Sequence, residues 1–182
     1  MATFYTIGHS NRPIEAFIAL LREAGVDLLV DVRTIPKSRH NPQFNADALE
    51  HALRGVSIGY RRIAELGGLR AARKGGGPSP NGFWENESFR NYADYAATPS
   101  FRAGLEELRA LGCAQSCAIM CANAVWWRCH RRIIADYLIA AGETVIHIMG
   151  EGKLEPARMT EAAIAGPGGV IIYPAGQGHL SF

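Results

Sequence analysis

The sequence predicts an α/β fold: a single three-layer domain with a mainly parallel, open sheet of about five strands and helices on both faces. Short apolar runs typical of buried strands alternate along the chain with segments whose apolar residues recur at helical spacing. The 182 residues are enough for one domain with a full core. Hydrophobic residues make up 48% of the chain and charged residues 20%, which is ordinary for a globular protein.

Five segments are predicted to be strands of this sheet. They lie at 4–8, 28–32, 56–63, 117–122 and 144–149. The second, LLVDV, is almost continuously apolar, which is typical of a strand buried on both faces. The third, VSIGYRRI, alternates with the period of a strand. Because helical segments separate the strands, we expect most neighbours to pair in parallel.

The predicted helices lie between these strands, at 14–24, 46–55, 88–112 with a break near Pro99, and 127–142. Ser10 or Asn11 is expected to cap the first helix, and Asn45 the second, because short polar side chains accept hydrogen bonds from free N–H groups. In the last helix, Cys129 and His130 are expected on the first turn.

Two parts of the chain are irregular in pattern. Segment 64–87 contains KGGGPSPNG, whose glycines and prolines exclude a regular element, and a loop this long is typical of a lid or a mobile surface insert. After Gly150, PARMTEAAIAG favours a helix and GVIIYPAG a late strand. We expect 1–150 to form the α/β domain and 151–182 a C-terminal extension packed on it.

The composition indicates a soluble, cytoplasmic protein. No apolar run approaches the roughly 20 residues of a membrane span, and the N-terminus lacks the pattern of a signal peptide. The four cysteines, at positions 113, 117, 121 and 129, are expected to be thiols or ligands rather than disulfides. Their spacing contains no CxxC pair, and no HxxxH or HExxH motif occurs, so we expect no metal. The alternative is a metal site that combines Cys121 or Cys129 with His130 and with His9 or His40. No other cofactor is expected.

Polar side chains follow three of the predicted strands. Residues 9–12 follow the first strand. Asp31, Arg33 and Arg39 lie at or after the end of the second strand, and the loop that begins at Cys121 follows the fourth. In parallel sheets, ligands bind beyond the carboxyl ends of the strands. We therefore expect these groups to meet at one edge of the sheet.

An ordered series of motifs resembles the domain-of-unknown-function family DUF488. The motifs are TIGHSNRPIEAF, LLVDVRTIPKSRHNPQFN, YRRIAELGG, NYADYAATPSF and MCANAVWWRCHRRIIADYL, and they cover about 4–149. The resemblance implies a single α/β domain with recurrent polar residues at the strand ends, and some members carry a DNA-repair label. Asn123 stands where the family often has an acid. The positions that match the recurrent motifs are His9, Ser10, Asn11, Asp31, Arg33, Arg39, Gly67, Gly68, Cys121, Arg128, Cys129, His130 and Arg131.

Cys121 is the first candidate for catalysis. It ends a predicted strand and precedes a helix whose N-terminus, together with Arg128, would stabilise a thiolate. The order of strand, cysteine, arginine and helix is similar to that of rhodaneses and tyrosine phosphatases, although the spacing here is C-x6-R rather than C-x5-R. The alternative is a small buried side chain at a strand end, a common place for free cysteine.

The other candidates are assigned to catalysis or to anion binding. His130 is expected to act as an acid or base, with His9 and Asp31 as further catalytic candidates. Asp31 could instead pair with Arg33, and His130 could be a core or capping residue. Trp127 could stack on a base or sugar, or close the core. Substrate binding is assigned to Ser10, Asn11, Arg33, Arg39, Trp127, Arg128, Cys129 and Arg131.

Two hypotheses about function follow from these residues. The first is a transferase or hydrolase that acts on a phosphate- or nucleotide-like anion through a thiol–histidine site. The second is a nucleic-acid-binding or DNA-repair-associated module, because segment 33–74 has nine basic and three acidic residues. Arginines gathered in a concave site would favour the first, and a broad exposed stripe the second. A binding domain without catalysis is a third interpretation.

Overall fold

Six strands form one mixed sheet in the computed structural model, which describes residues 1–75 and 77–176. The strands are β1 (Thr3–Gly8), β2 (Leu28–Asp31), β3 (Gly59–Arg62), β4 (Cys117–Cys121), β5 (Thr144–Gly150) and β6 (Lys153–Pro156). Their order across the sheet is β3-β2-β4-β1-β5-β6. All neighbours pair in parallel except β6, which runs antiparallel to β5. The predicted fold class is confirmed, with one strand more than expected.

Helices cover both faces of the sheet. They are α1 (Ile14–Glu23), α2 (Ala46–Arg54), α3 (Glu87–Tyr95), α4 (Pro99–Ala114) and α5 (Arg131–Ala140). Successive strand residues point to opposite faces, so Leu29 and Met120 pack with α1 and α2, whereas Val30 and Ile119 pack with α3, α4 and α5. The two apolar layers bury the central strands completely, which explains the continuous apolar run in β2.

The strand register brings the ends of β1 and β4 together. Gly8 pairs with Cys121, and the His9 and Ser10 N–H groups donate to the carbonyls of Cys121 and Ala122 at 2.9 Å. A Cβ atom at Gly8 would overlap the carbonyl of Asn123. Glycine at this position therefore lets the chain that leaves β4 cross closely over the end of β1.

Helix α5 begins later than predicted. Trp126–Arg128 forms a short 3-10 helix, and Cys129 has extended backbone angles. Because this turn separates the segment into two elements, His130 occupies the N-cap position of α5 and Cys129 precedes it. The prediction that both residues lie on the first helical turn is wrong.

The predicted cap of the first helix is also wrong, and that of the second is right in position but makes no side-chain capping bond. Pro13 occupies the N-cap position of α1 and offers no side-chain hydrogen bond, so neither Ser10 nor Asn11 caps this helix. Asn45 stands at the N-cap of α2, but its side-chain oxygen accepts from the N–H of Ser38 instead. This bond ties the loop after β2 to the start of α2.

The C-terminal segment adds to the domain in a different way from the prediction. No helix forms in 156–166; residues 157–163 are turns and irregular chain, and β7 (Ile164–Ala165) pairs with β8 (Ile171–Ile172) in a short antiparallel ribbon. The predicted late strand corresponds to β8. Tyr173 is buried and its hydroxyl donates to Asp136 of α5, so this part of the tail packs on the domain.

The irregular segment 64–87 contains one short 3-10 helix, Ala64–Leu66, and is otherwise without regular structure up to the start of α3 in the residues described. Residue 76 and residues 177–182 lie outside the described parts of the chain. Of the helices described, none has the length and apolar character needed to cross a membrane.

Candidate functional site

A cavity of about 330 Å³ opens at the carboxyl edge of the sheet. It lies beyond the ends of β2 and β4, between the turn at Gly68 and the start of α3. The side chains most relevant to chemistry along its walls are Arg33, Lys37, Cys121, Arg128, Cys129 and His130. This is the edge at which ligands bind in parallel sheets.

The sulfur atoms of Cys121 and Cys129 meet at this cavity and are joined as a disulfide, with the Cα atoms 7.5 Å apart. Cys121 ends β4, and the 3-10 turn returns the chain so that Cys129 faces it across eight residues. The pairing differs from the expectation of free thiols. Among the cysteines, Cys113 and Cys117 remain free, and burial raises the pKa of Cys117 to about 11.

Arg131 lies behind the two sulfurs, only 1% exposed. Its Nε is 3.1 Å from Cys121 Sγ and 3.4 Å from Cys129 Sγ. The remaining guanidinium nitrogens donate to Thr6 Oγ1 at 3.0 Å and to the Asn123 carbonyl at 2.8 Å. Burial lowers the pKa of Arg131 to about 9. The cation in contact with Cys121 is thus Arg131, on the first turn of α5, whereas Arg128, the arginine expected to stabilise the thiolate, lines the same cavity.

His130 faces the cavity from the other side of the sulfurs. Its Nε2 donates to the carbonyl of Val32 at 2.7 Å, which leaves Nδ1 without a hydrogen in the neutral ring. Nδ1 is 3.6 Å from Cys129 Sγ. Burial lowers the pKa of His130 to about 4, so the imidazole is neutral at pH 7. A Cβ at Gly68 would lie 2.6 Å from Nδ1, so glycine at 68 makes room for the ring.

Asp31 and Arg33 form a buried ion pair next to the cavity. Asp31 accepts two side-chain hydrogen bonds from Arg33, at 2.9 and 2.7 Å, and a third from the Tyr60 hydroxyl at 2.6 Å. Burial and the bond to Asp31 raise the pKa of Tyr60. Arg33 reaches the cavity wall, whereas Asp31 is fully buried behind it. Asp31 therefore positions Arg33, which was one of its two predicted roles, and lies outside the cavity wall.

The sequence comparison agrees with the motif series. A family model described as a domain of unknown function, DUF488, matches residues 13–138, more than half of the chain. This chain belongs to the DUF488 family. No curated protein and no solved structure matches it. The family description assigns no activity, so the function of this DUF488 protein has to be argued from its own site.

His9 lies in the interior of the DUF488 domain, behind the wall of the cavity. It is buried and stacks on Phe44 with ring centroids 4.4 Å apart, and its Nδ1 lies 2.8 Å from the carbonyl of Ser10. Its Nε2 is 3.4 Å from Arg33 Nη1. Burial lowers the pKa of His9. The ring thus supports Arg33 from behind and does not line the cavity.

Five predicted substrate-binding residues lie outside the cavity lining, namely Arg131 behind the sulfurs and Ser10, Asn11, Arg39 and Trp127. Ser10 has φ of 51° and Asn11 is exposed beyond the end of β1. Arg39 is exposed in the loop after β2. Trp127 is 44% exposed and packs edge-on against Trp126. The cavity therefore gathers Cys121, Cys129, His130, Arg33 and Arg128 from the predicted set, with Arg131 directly behind them.

The basic segment 33–74 of this DUF488 protein is largely occupied by contacts within the protein. Arg33, Arg54 and Arg61 pair with acids, and Arg62, Arg70 and Arg73 donate to backbone carbonyls. Arg70 also lies 3.8 Å above the Tyr95 ring. Six of the nine basic side chains counted in this segment therefore have a partner within the protein.

Several residues of the site were not singled out from the sequence. Lys37 lines the cavity, and its only signal was its place in the loop after β2. Thr6 and His147 form a buried pair behind the site, with Thr6 Oγ1 2.6 Å from His147 Nδ1. Both are interior residues of predicted strands, where the sequence pattern gives no indication that a polar side chain contacts Arg131.

Proposed function

We propose that this DUF488 protein is an enzyme that binds a small phosphate- or nucleotide-like anion in the cavity and acts on it through the cysteine–histidine centre. The observation that carries the proposal is the convergence of cationic side chains, two sulfurs and His130 on one concave surface. A protein that only needed a packed interior would gain nothing from this arrangement, because charged groups at a cavity must be kept hydrated or paired.

The charge of the cavity supports an anionic ligand. Within the described chain, no carboxylate lines the cavity, whereas Arg33, Lys37 and Arg128 do. Asp31 already neutralises Arg33. Lys37 and Arg128 form no ion pair with the residues described, so they supply uncompensated positive charge to a ligand.

The cavity wall also has an apolar part. Ile35 and Leu69 line it although they are 61% and 66% exposed, and Phe89 lies beside them. The volume of the cavity falls at the lower end of the roughly 300–1,000 Å³ that is typical of small-molecule sites. A ligand with an anionic end and a flat or apolar body, such as a nucleotide, matches both parts of the wall.

The reacting groups would be the sulfurs and His130. The neutral Nδ1 of His130 faces Cys129 Sγ and can take a proton from a thiol or from water. The N–H of Arg131 beside Cys121 favours the thiolate, which is the nucleophile or ligand form of cysteine. These groups fit a transferase or hydrolase reaction at the bound anion.

The contacts that the arginines make within the protein support the small-ligand hypothesis over the nucleic-acid hypothesis. Six arginines of segment 33–74 bond to acids or carbonyls of the protein, and the cationic side chains that reach a common concave surface are those of the cavity. Nucleic-acid binding would call for a broad exposed stripe.

The proposal is tested by calorimetric titration of the reduced protein with inorganic phosphate, pyrophosphate and AMP. Lys37→Ala and Arg128→Ala should each weaken binding about tenfold, since a charge-assisted hydrogen bond contributes roughly 1.5–3 kcal/mol. Arg39→Ala is the charge-matched control and should bind as the wild type. Equal affinities in all four proteins, or no binding, would overturn the anion site.

Turnover is tested separately, with a panel of phosphorylated metabolites. Cys121→Ser and His130→Ala should lose turnover and keep the binding of phosphate within a few-fold. Full activity in both variants would remove the catalytic assignment and leave a binding protein.

A further inference from the structure

We propose that Cys121, Cys129 and His130 of the reduced protein bind one thiophilic divalent metal ion, such as Zn²⁺, and that its fourth ligand position faces the cavity. The inference deepens the proposed function, and only the identity of the fourth ligand rests on it. In the metal-bound state both thiolates and His130 are ligands, so the ion takes over the role that the metal-free centre gives to the thiolate and the imidazole. The sequence led to the expectation of no metal, because its cysteines form no CxxC pair.

The three candidate ligand atoms are already gathered. Cys121 Sγ, Cys129 Sγ and a ring nitrogen of His130 all lie within 4.8 Å of one another. Zinc binds sulfur at about 2.3 Å and imidazole nitrogen at about 2.0–2.1 Å, so the ligands of a tetrahedral site lie roughly 3.5 Å apart. To admit the ion, the two sulfurs have to separate to about this distance once the disulfide is reduced.

The backbone spacing of the cysteines favours a shared ion. Their Cα atoms are 7.5 Å apart, beyond the roughly 4.4–6.8 Å that disulfides usually span. Two sulfurs that are separated by an ion need a wider backbone spacing than two sulfurs that are bonded. The extended conformation of Cys129 fixes this spacing.

His130 is arranged as a metal-binding histidine. Metal ligands of this type commonly donate their second ring N–H to a carbonyl or carboxylate, which fixes the ring and its tautomer. The Val32 carbonyl accepts from Nε2 at 2.7 Å, and Nδ1 therefore directs its lone pair toward the side of Cys129. Gly68, which has no side chain, spares Nδ1 the 2.6 Å contact that a Cβ would make.

The donors around the sulfurs favour thiolates. Arg131 Nε contacts both sulfurs, and the Arg131 backbone N–H lies 3.5 Å from Cys129 Sγ. Such N–H donors are the outer-shell partners that stabilise metal-bound thiolates. Two thiolates close together repel each other, and a divalent ion between them cancels both charges.

The fourth position is left open by the same geometry. Arg131 covers the sulfurs from the interior, whereas all three ligand residues line the cavity. Three protein ligands with one open position are typical of catalytic rather than structural zinc. An anion drawn in by Lys37 and Arg128 would place an oxygen next to the ion, which would polarise it as a Lewis acid.

Metal binding and the disulfide are alternative states of the same pair. Two electrons and two protons convert the Cys121–Cys129 disulfide into two thiols, and the ion then displaces both protons. In the experiment the electrons come from a phosphine reductant, which is oxidised to the phosphine oxide.

The test is a titration of the reduced, chelator-treated protein with Co²⁺ alone, followed by absorbance. One equivalent should bind and give thiolate-to-cobalt charge-transfer and tetrahedral visible bands. Cys121→Ser, Cys129→Ser and His130→Gln should each weaken binding at least about tenfold and change the bands. Cys113→Ser, which alters an exposed free cysteine, is the matched control and should titrate as the wild type.

X-ray absorption of the wild-type zinc complex keeps the test independent of variant folding. Two sulfurs near 2.3 Å and at least one nitrogen near 2.0–2.1 Å are expected. No binding at micromolar Co²⁺, or bands unchanged in all three variants, would overturn the metal site. Phosphate titration of the metal-free protein separates the two proposals. If the protein binds phosphate but no metal, only the metal site is refuted. If it binds metal but no phosphate, only the anion site is refuted.

Discussion

The guanidinium of Arg131 lies 3.1 Å from the sulfur of Cys121, in the interior of the domain. Across residues 1–75 and 77–176, no carboxylate forms an ion pair with this buried cation. A buried charge without a partner is costly, so in the reduced protein the two sulfurs are the groups placed to supply negative charge as thiolates. This relationship connects the stability of the fold with the reactivity of the site.

Replacing this guanidinium should slow the chemistry of Cys121. In Arg131→Met the thiolate loses a hydrogen bond from a cation, which contributes roughly 1.5–3 kcal/mol. We expect the reduced, chelator-treated variant to be alkylated at Cys121 about tenfold more slowly than the wild type at pH 7, with Cys113 as the internal reference. Mass spectrometry of timed samples measures both rates.

The neighbouring Arg132→Met is the control for this prediction. Arg132 donates to Thr160 Oγ1 at 3.1 Å and makes no hydrogen bond to sulfur within the described part of the chain. The rate at which Cys121 is alkylated in Arg132→Met should match the rate in the wild type. Equal slowing in both variants would show that the effect comes from helix α5 as a whole and not from the Arg131–Cys121 contact.

Gly68 should be sensitive to the smallest substitution. The Cβ of Gly68→Ala would lie 2.6 Å from His130 Nδ1 and 2.9 Å from the ring carbons, so the ring has to move. We expect a loss of about 2 kcal/mol in the free energy of unfolding, as for other overpacked sites. Urea unfolding measures it. Gly150→Ala, whose Cβ would meet the Lys153 side chain at an unstrained 3.8 Å, should cost less than half as much.

Asp31 should matter for stability through Arg33. Asp31→Asn leaves a buried guanidinium without its counter-charge, and breaking a buried pair in this way costs roughly 3–5 kcal/mol. Tyr60→Phe removes only the hydroxyl that donates to Asp31 and should cost about 1 kcal/mol. Thermal and urea unfolding of both variants measure the difference. Similar losses in the two would contradict the ranking.

His147 should make the fold sensitive to acid. Burial, with Arg131 nearby, lowers the pKa of this histidine from 6.5 to about 3. Between these values the unfolded chain binds a proton that the folded chain does not. The free energy of unfolding should therefore fall as the pH drops through this window, by up to about 1.4 kcal/mol per unit.

The variant His147→Gln isolates this contribution. This variant loses the stacking of the His147 ring on Trp126, so its stability is lower at the start. Its free energy of unfolding should nevertheless change less steeply with pH than that of the wild type between pH 6.5 and 4. His51→Gln changes an exposed histidine of α2 and should keep the wild-type slope. Identical slopes in all three proteins would refute the role of His147.

The elements with strong local patterns were predictable from the sequence. Apolar runs located the central strands, and the rule for parallel sheets placed Cys121 and Arg33 at one edge. Family motifs singled out Cys129 and His130. These predictions depend on periodicity and on strand direction, both of which are local properties of the chain.

The details of the site depend on contacts that no local pattern contains. The 3-10 turn at Trp126–Arg128 delays α5 and gives Arg131, not Arg128, the place beside Cys121. Asn45 is of a residue type that commonly caps helices, but its side-chain oxygen accepts from the N–H of Ser38 in the preceding loop. The tail segment 156–166 favoured a helix by composition, yet part of it pairs as a strand.

A crystal structure of the reduced protein soaked in tungstate, a phosphate analogue with a strong anomalous signal, tests the central claim most directly. We expect one tungstate in the cavity, within hydrogen-bonding distance of Arg128 or Lys37 and adjacent to Cys121 and Cys129. A cavity without tungstate, in a crystal whose tungstate binds only to other surfaces, would contradict the anion site.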